Sequence, residues 1–172
     1  MSLYLITGLP GSGKTTVWRN LKARGYEAYD GDKDHIAKWY ENGTNRPIPW
    51  EEEERSTAFI DGHWRGIDRA TIEKLATEAK AKDIFLCNDP MNEEELRDLF
   101  DKIFALDIDE KTIRYRLETR PGATEWGKRT HEMEHVLASQ EDAHATYKKF
   151  NYTIIDASLP ADQVVDKILS QI

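Results

Sequence analysis

Apolar residues follow two rhythms along this chain. Leu3 to Thr7 (LYLIT) is short, continuous and rich in β-preferring side chains, the pattern of a strand buried on both faces. Four further strands are expected at Glu27 to Tyr29, Ile84 to Cys87, Ile103 to Leu106 and Tyr152 to Ile155, each closed by a turn or cap signal. Between them the spacing turns helical. Thr15 to Ala23 (TTVWRNLKA) sets Val17, Trp18 and Leu21 on one face. Helices are also expected over Ile36 to Glu41, Glu51 to Lys80 with a break near Asp61-Gly62, Glu93 to Phe100, Glu110 to Thr119, Arg129 to Lys149, and Ala161 to Ser170. The punctuation agrees: Asn92 with Glu95 reads as an N-cap and capping box, Asp109 as an N-cap, and Pro160 as a first-turn residue. Strand and helix alternate, so the fold class expected is α/β, a parallel sheet covered by helices with ligands at the carboxyl ends of its strands. Two stretches stand apart from this scaffold, Asn42 to Trp50 (NGTNRPIPW) and Arg120 to Arg129 (RPGATEWGKR). Both are rich in turn residues and abut helices, as loops over a site do.

Length and charge narrow the picture. The 172 residues make one domain the expectation. A net charge of −8 argues against a broad nucleic-acid or anionic-membrane surface, so neither nucleic acid nor membrane is expected as a partner. Cys87 is the single cysteine and sits in an apolar strand, which reads as core and fits a reducing compartment. No apolar run approaches membrane-spanning length, and the chain enters its first strand without a basic region or signal core; a cytoplasmic protein is expected.

The chemistry begins at GLPGSGKT, Gly8 to Thr15. Gly8, Gly11 and Gly13 lie between the first strand and the first helix, where freedom at φ lets successive N–H groups turn inward at the positive end of the helix. Ser12 and Thr16 belong to the same turn, Lys14 can reach terminal phosphates, and Thr15 offers a hydroxyl to Mg²⁺. This is G-x-x-x-x-G-K-[ST] in the strand and helix context a phosphate loop requires, so the stretch is expected to hold ATP. After the second strand comes YDGDKD, Tyr29 to Asp34. Asp30 suits the Mg²⁺ shell, and Asp32 suits orienting or deprotonating an attacking hydroxyl. A solvated acidic turn is the bland alternative.

The phosphate loop, the DGD after strand two, and an Arg-bearing helix leading into a cationic loop resemble the P-loop small-molecule kinases, including shikimate, gluconate, nucleoside and nucleotide kinases. The resemblance covers the order of elements over nearly the whole chain. It implies a three-layer P-loop NTPase fold with five parallel strands in the order 2-3-1-4-5, flanked by helices, over a single domain of residues 1–172. It also implies Mg²⁺, ATP as co-substrate, a lid supplying arginines at about 120–130, and an acceptor-binding insertion at about 38–70. The third strand ends CNDP, without the glycine pair that shikimate kinases carry there, which argues against shikimate itself. Asp89 in that segment is an alternative metal-shell carboxylate, or a turn residue before Pro90.

The lid cations are sorted by helix geometry. Glu110, Arg114 and Glu118 form an i,i+4 ladder, so Arg114 reads as a surface ion pair. Arg116 and Arg120 share another face. Arg120, with Lys128 and Arg129 across the loop, can close onto the β- and γ-phosphates, although a merely solvated basic loop stays open as a reading. Arg55, Arg65 and Arg69 are each four residues from an acid (Glu51, Asp61 and Glu73) and read as helix salt bridges, leaving Arg46 without such a partner. Trp39, Trp50 and Trp64 fall between strands two and three, where with Asp32 and Arg46 they can wall an acceptor pocket; Trp126 lies on the lid. HEMEH, His131 to His135, matches a zinc-helix pattern, but its downstream positions hold Ala138 and Glu141, and the match reads as accidental. Asp156 follows the last strand, as an adenine-side loop or an ordinary turn.

The function expected is transfer of the γ-phosphoryl group of ATP to a hydroxyl or phosphate of a small metabolite, a nucleoside or nucleotide among the candidates, by a monomer or homodimer. The competing readings are a P-loop ATPase switch acting on a protein partner and a polynucleotide-end kinase, the latter disfavoured by the acidic balance.

Overall fold

A computed structural model describes residues 1–49, 56–121, 127 and 129–172. The elements in order are β1 (Leu3–Thr7), α1 (Lys14–Ala23), β2 (Glu27–Asp30), β3 (Lys38–Glu41), α2 (Thr57–Gly62), β4 (His63–Gly66), α3 (Arg69–Glu78), β5 (Ile84–Cys87), α4 (Glu93–Leu96), β6 (Lys102–Asp107), α5 (Glu110–Thr119), α6 (Thr130–Ala138), α7 (Gln140–Lys149), β7 (Thr153–Asp156) and α8 (Ala161–Leu169). A 3₁₀ turn, Arg97–Leu99, extends α4.

Five strands form one parallel sheet in the order β2-β5-β1-β6-β7. Counting only the strands of this sheet, that is 2-3-1-4-5, the order the resemblance implied. β1 is central and buried along its length, which accounts for its unbroken apolar run. Its pleat divides the core. Tyr4 and Ile6 face Val17, Leu21, Phe85, Phe104 and the apolar stripe of α8, whereas Leu3 and Leu5 face Ile72, Leu86, Leu96 and Tyr147. Helices therefore cover both faces. All five strands end at one edge, and the residues just past those ends, not the core, are free to carry chemistry.

The segment between β2 and β5 departs from the expectation. Helices were expected at Ile36 to Glu41 and, interrupted, from Glu51 to Lys80; instead Lys38–Glu41 and His63–Gly66 pair antiparallel as a separate two-stranded sheet. Tyr40 stands opposite Trp64, their rings stacked at 4.5 Å, and Trp39 packs edge-on against Phe59 at 5.5 Å. Cross-strand aromatic contact of this kind outweighs the weak local helical pattern. The expected break near Asp61-Gly62 does occur, because α2 ends at Gly62. Side-chain caps open the helices of this segment: Ser56 accepts from the Phe59 N–H before α2, and Asp68 from the Thr71 N–H before α3. The single helix expected from Arg129 to Lys149 is two, α6 and α7, meeting at Ser139. No helix among the described residues is long and apolar enough to cross a membrane.

Candidate active site

The turn from β1 into α1 has the backbone its glycines permit. Gly8, Gly11 and Gly13 take φ of 146°, 89° and 108°. A Cβ on Gly8 would lie 2.8 Å from the Leu106 carbonyl, so close approach of β6 as well as φ demands glycine there. Gly13 caps α1, and the exposed Thr16 donates its N–H to the Gly13 carbonyl at 2.9 Å in the first turn. The buried Ser12 closes the turn through its N–H to the Leu9 carbonyl at 3.0 Å. Lys14 folds back over this loop, its ammonium donating to the carbonyls of Gly8 and Leu9. The amine thus stands at the mouth of the ring of N–H groups, where an anion would sit.

Across the site, β2 delivers two carboxylates with different surroundings. Asp30 is buried, receives the Thr15 hydroxyl hydrogen at 2.8 Å, and accepts the N–H groups of Asp32 and Lys33, each at 3.1 Å. Asp32 opens to solvent. Its Oδ1 accepts from Arg65 Nε at 3.1 Å, Arg65 Nη2 at 2.8 Å and Asn88 Nδ2 at 3.3 Å. Arg65 comes from β4 and was expected to pair with Asp61 along a helix; a strand has no i,i+4 neighbour, and the hairpin carries the guanidinium to Asp32 instead. The same guanidinium lies 5.7 Å from the Trp39 ring centroid. Asn88, the residue after β5, rests so tightly on Gly31 that a Cβ there would come 2.5 Å from its Nδ2. At the next position, Asp89 accepts from the Thr7 hydroxyl at 3.2 Å and lies within the field of Lys14.

Behind Asp89 lies Glu93, buried in the first turn of α4 and hydrogen-bonded by the Tyr152 hydroxyl. Burial pushes its carboxyl above the ordinary range; the same burial, with the Glu93 hydrogen bond, raises the Tyr152 phenol. Farther along the strand ends, Asp107 Oδ1 accepts from His144 Nε2 at 2.6 Å.

The other residues singled out in the sequence take varied positions. Arg114 makes its ion pair with Glu110 at 2.9 Å. Arg116 reaches the loop itself, donating to the carbonyls of Gly11 at 3.4 Å, Ser12 at 3.2 Å and Ala157 at 2.8 Å. It thereby ties the phosphate loop to the turn after β7. In that turn Asp156 accepts from Ser158 N–H and hydroxyl, and these bonds hold its carboxyl below the usual range. Arg120 ends α5 with its Nε and Nη2 buried, and Arg129 stands at the N-cap of α6. Between them Glu132, fully buried, accepts the N–H groups of Gly127 at 2.9 Å and Arg129 at 3.3 Å. Glu132 of HEMEH is thus a capping acceptor at the start of α6. Trp50, Arg55, Trp126 and Lys128 lie outside the described residues. Trp64 spends one face on Tyr40 and donates to Asn45 at 3.2 Å. Arg46, expected without an acidic partner, stands 3.6 Å from Glu41, its neighbour across the turn.

Sequence reasoning missed two residues of the site. Asn88 was visible only as part of an unusual strand end. Arg65 was masked by a plausible helical partner.

The comparisons with known proteins agree with this geometry. The chain matches a family described as an AAA domain over residues 5–137, and belongs to that family. Nothing among curated proteins matches. Among solved structures, the shikimate kinase from Acinetobacter baumannii in complex with shikimate is 17% identical, with 99% of this chain and 92% of that one covered at a TM-score of 0.64. A gluconokinase from Sinorhizobium meliloti is also 17% identical, covering 98% and 90% at 0.56. The deoxyadenosine kinase from M. mycoides with bound dATP is 16% identical, covering 98% of each chain at 0.54. At these identities the likeness is one of fold.

Proposed function

We propose that this protein is an ATP-dependent phosphotransferase that moves the γ-phosphoryl group to a hydroxyl or phosphate of a small metabolite. The observation that carries the reading is the opposition of two sets of groups across one strand edge. Lys14 and Thr15 sit at the nucleotide side, and the Asp30/Asp32 pair faces them with Thr15 and Asp30 already in contact at 2.8 Å. The shared fold with sugar, shikimate and deoxyadenosine kinases supports it.

The oxygens of Thr15 and Asp30 suit a hard divalent cation such as Mg²⁺, which when bound neutralises charge on the phosphates. The protein's own groups do the rest. The N–H groups of the glycine turn and the Lys14 ammonium hold and polarise the terminal phosphates. Asp32, with Oδ1 fixed by Arg65 and Asn88, presents Oδ2 to an acceptor hydroxyl, orients it for in-line attack and takes up its proton. Arg120 and Arg129 bring positive charge toward the transferring group from the lid, while Arg116 keeps the phosphate loop and the Asp156 turn in register. The hairpin bearing Trp39 and Trp64, with Arg46 beside it, is the acceptor side. Its aromatic surface and the Arg65 cation suit an acceptor with a planar or apolar body, a nucleoside or nucleotide being one such class.

A panel of hydroxylated metabolites, nucleosides and nucleotides, incubated with ATP and Mg²⁺ and read by ADP release, tests the proposal. Acceptor-dependent ADP release with a phosphorylated product is the expected result. Turnover that ignores every small acceptor and rises only with a protein partner would replace it with the ATPase-switch reading.

A further inference from the structure

Asn92 reads in the sequence as the N-cap of α4, with Glu95 closing a capping box, but the structure sends its side chain elsewhere. No side-chain hydrogen bond caps α4 at this residue. The amide instead grips the backbone of Ile67: Nδ2 donates to the Ile67 carbonyl at 2.8 Å, and Oδ1 accepts the Ile67 N–H at 3.1 Å. An N–H can meet only Oδ1 and a carbonyl only Nδ2, so the two bonds fix which way the amide points. One residue earlier, the Met91 N–H donates to the Arg65 carbonyl at 2.9 Å, and the Arg65 N–H lies 3.3 Å from Met91 Sδ. Arg65 and Ile67 are two positions apart, so their backbone groups point to the same edge of the chain. Met91 and Asn92 fill that edge.

The fit is close. A Cβ on Gly66 would come 2.4 Å from Asn92 Oδ1 and 2.4 Å from Trp64 Cζ3, so a side chain there would push the amide off. Both ends of the clamp are rooted in one apolar cluster: Ile67 is fully buried, and Leu96, a helical turn beyond Asn92, packs in the same core. The clamp thus fixes β4 on either side of Gly66, at the level of the residue whose Nε and Nη2 reach Asp32 Oδ1. An ion pair open to water holds two flexible side chains only weakly, so the strand that carries Arg65 sets where the guanidinium starts.

We propose that Asn92 is a positioning residue for phosphoryl transfer: by clamping Ile67 it seats β4 so that Arg65 meets Asp32, and Asp32 is thereby held for the acceptor. The inference rests on the phosphotransferase reading of the site and adds to it a support outside the site, at the start of α4. None of the clamp's hydrogen bonds involves Gly8 to Thr15. Its influence falls on the acceptor side and leaves the nucleotide side alone.

Nuclear magnetic resonance of the Arg65 Nε–H, with calorimetry of ATP and Mg²⁺ beside it, tests the clamp without an acceptor. In the wild type Asp32 holds this hydrogen, and it should exchange slowly with water. Asn92→Ala should speed the exchange about tenfold, the worth of one lost hydrogen bond, while ATP affinity and the amide signals of β1 and β6 stay as in the wild type. Asn92→Asp separates clamp from cap: aspartate caps a helix as well as asparagine does but has no N–H for the Ile67 carbonyl, so it should be as damaging as alanine. Gly66→Ala, which displaces the amide from the other side, should repeat the effect. An Arg65 signal unchanged in Asn92→Ala, or restored in Asn92→Asp, overturns the proposal. So does a fall of ATP affinity in step with the Arg65 signal, which would make Asn92 a support of the whole fold. A wild type that binds no ATP overturns the phosphotransferase reading instead, and the Arg65 signal still decides the clamp.

Discussion

Arg65 Nη2 lies 2.8 Å from Asp32 Oδ1, joining the small hairpin to the end of β2 across thirty-three positions of sequence. The contact fixes the carboxylate of Asp32, which opens to solvent. It also ties a two-stranded hairpin, with little core of its own, to the end of β2.

Arg65→Ala should therefore act on the acceptor and not on ATP. An exposed ion pair contributes about 1 kcal/mol or less to stability, so urea unfolding should shift little. Acceptor turnover should drop by about tenfold or more, with ATP affinity kept, because Asp32 is no longer held in place. Steady-state kinetics with a verified acceptor and calorimetry of ATP separate the two effects; a loss confined to ATP affinity would contradict this division.

Lys14→Ala is expected to leave the thermal unfolding temperature nearly unchanged, since its contacts are two loop carbonyls. Phosphoryl transfer should fall on the order of a hundredfold or more at saturating ATP. Full turnover in this variant would remove the lysine from the mechanism.

The two aspartates should separate in the same assay. Asp30→Asn, beside Thr15, is expected to weaken Mg²⁺-dependent ATP binding, whereas Asp32→Asn should lower turnover while ATP binding survives. Magnesium titrations of both variants check the assignment, and equal loss of affinity in both would place Asp32 in the metal shell.

The arginines of α5 offer a contrast between two positions two residues apart. Arg116→Ala removes donors to three carbonyls of two loops and should cost about 1 to 3 kcal/mol together with a measurable loss of ATP affinity. Arg114→Ala breaks only the exposed pair with Glu110 and should cost about 0.5 kcal/mol or less. Chemical denaturation of the two variants in parallel measures the difference.

Glu93 makes a further prediction about stability. Its folded pKa is raised, so the native state keeps a proton that the unfolded chain releases above its ordinary value of 4.5. Stability should then fall as pH rises from there toward the folded pKa, and Glu93→Gln should flatten that slope. Unfolding free energies at about pH 5 and about pH 8, below the range in which the buried tyrosines ionise, provide the measurement.

The sequence by itself determined what depends on near neighbours in the chain. The glycine turn, its lysine and threonine, the strands of the main sheet and the cap at Asp109 all follow from local backbone chemistry and from the period of buried positions. The order of the five parallel strands came through resemblance and matches the sheet. The i,i+4 pair of Glu110 with Arg114 was legible for the same local reason. What tertiary structure alone decided is which distant groups meet. Lys38–Glu41 became a strand because Tyr40 found Trp64 across a hairpin, a contact that no window along the chain contains. That rearrangement took Arg65 from Asp61 and gave it to Asp32. Arg116 showed in the sequence as a cation on a face without an acid; its partners are backbone carbonyls more than a hundred residues away in one direction and forty-one in the other, and carbonyls carry no sequence signature. Glu93 and Tyr152 likewise come from segments fifty-nine positions apart, and only where the folded chain brings them together does a buried carboxyl lose its water.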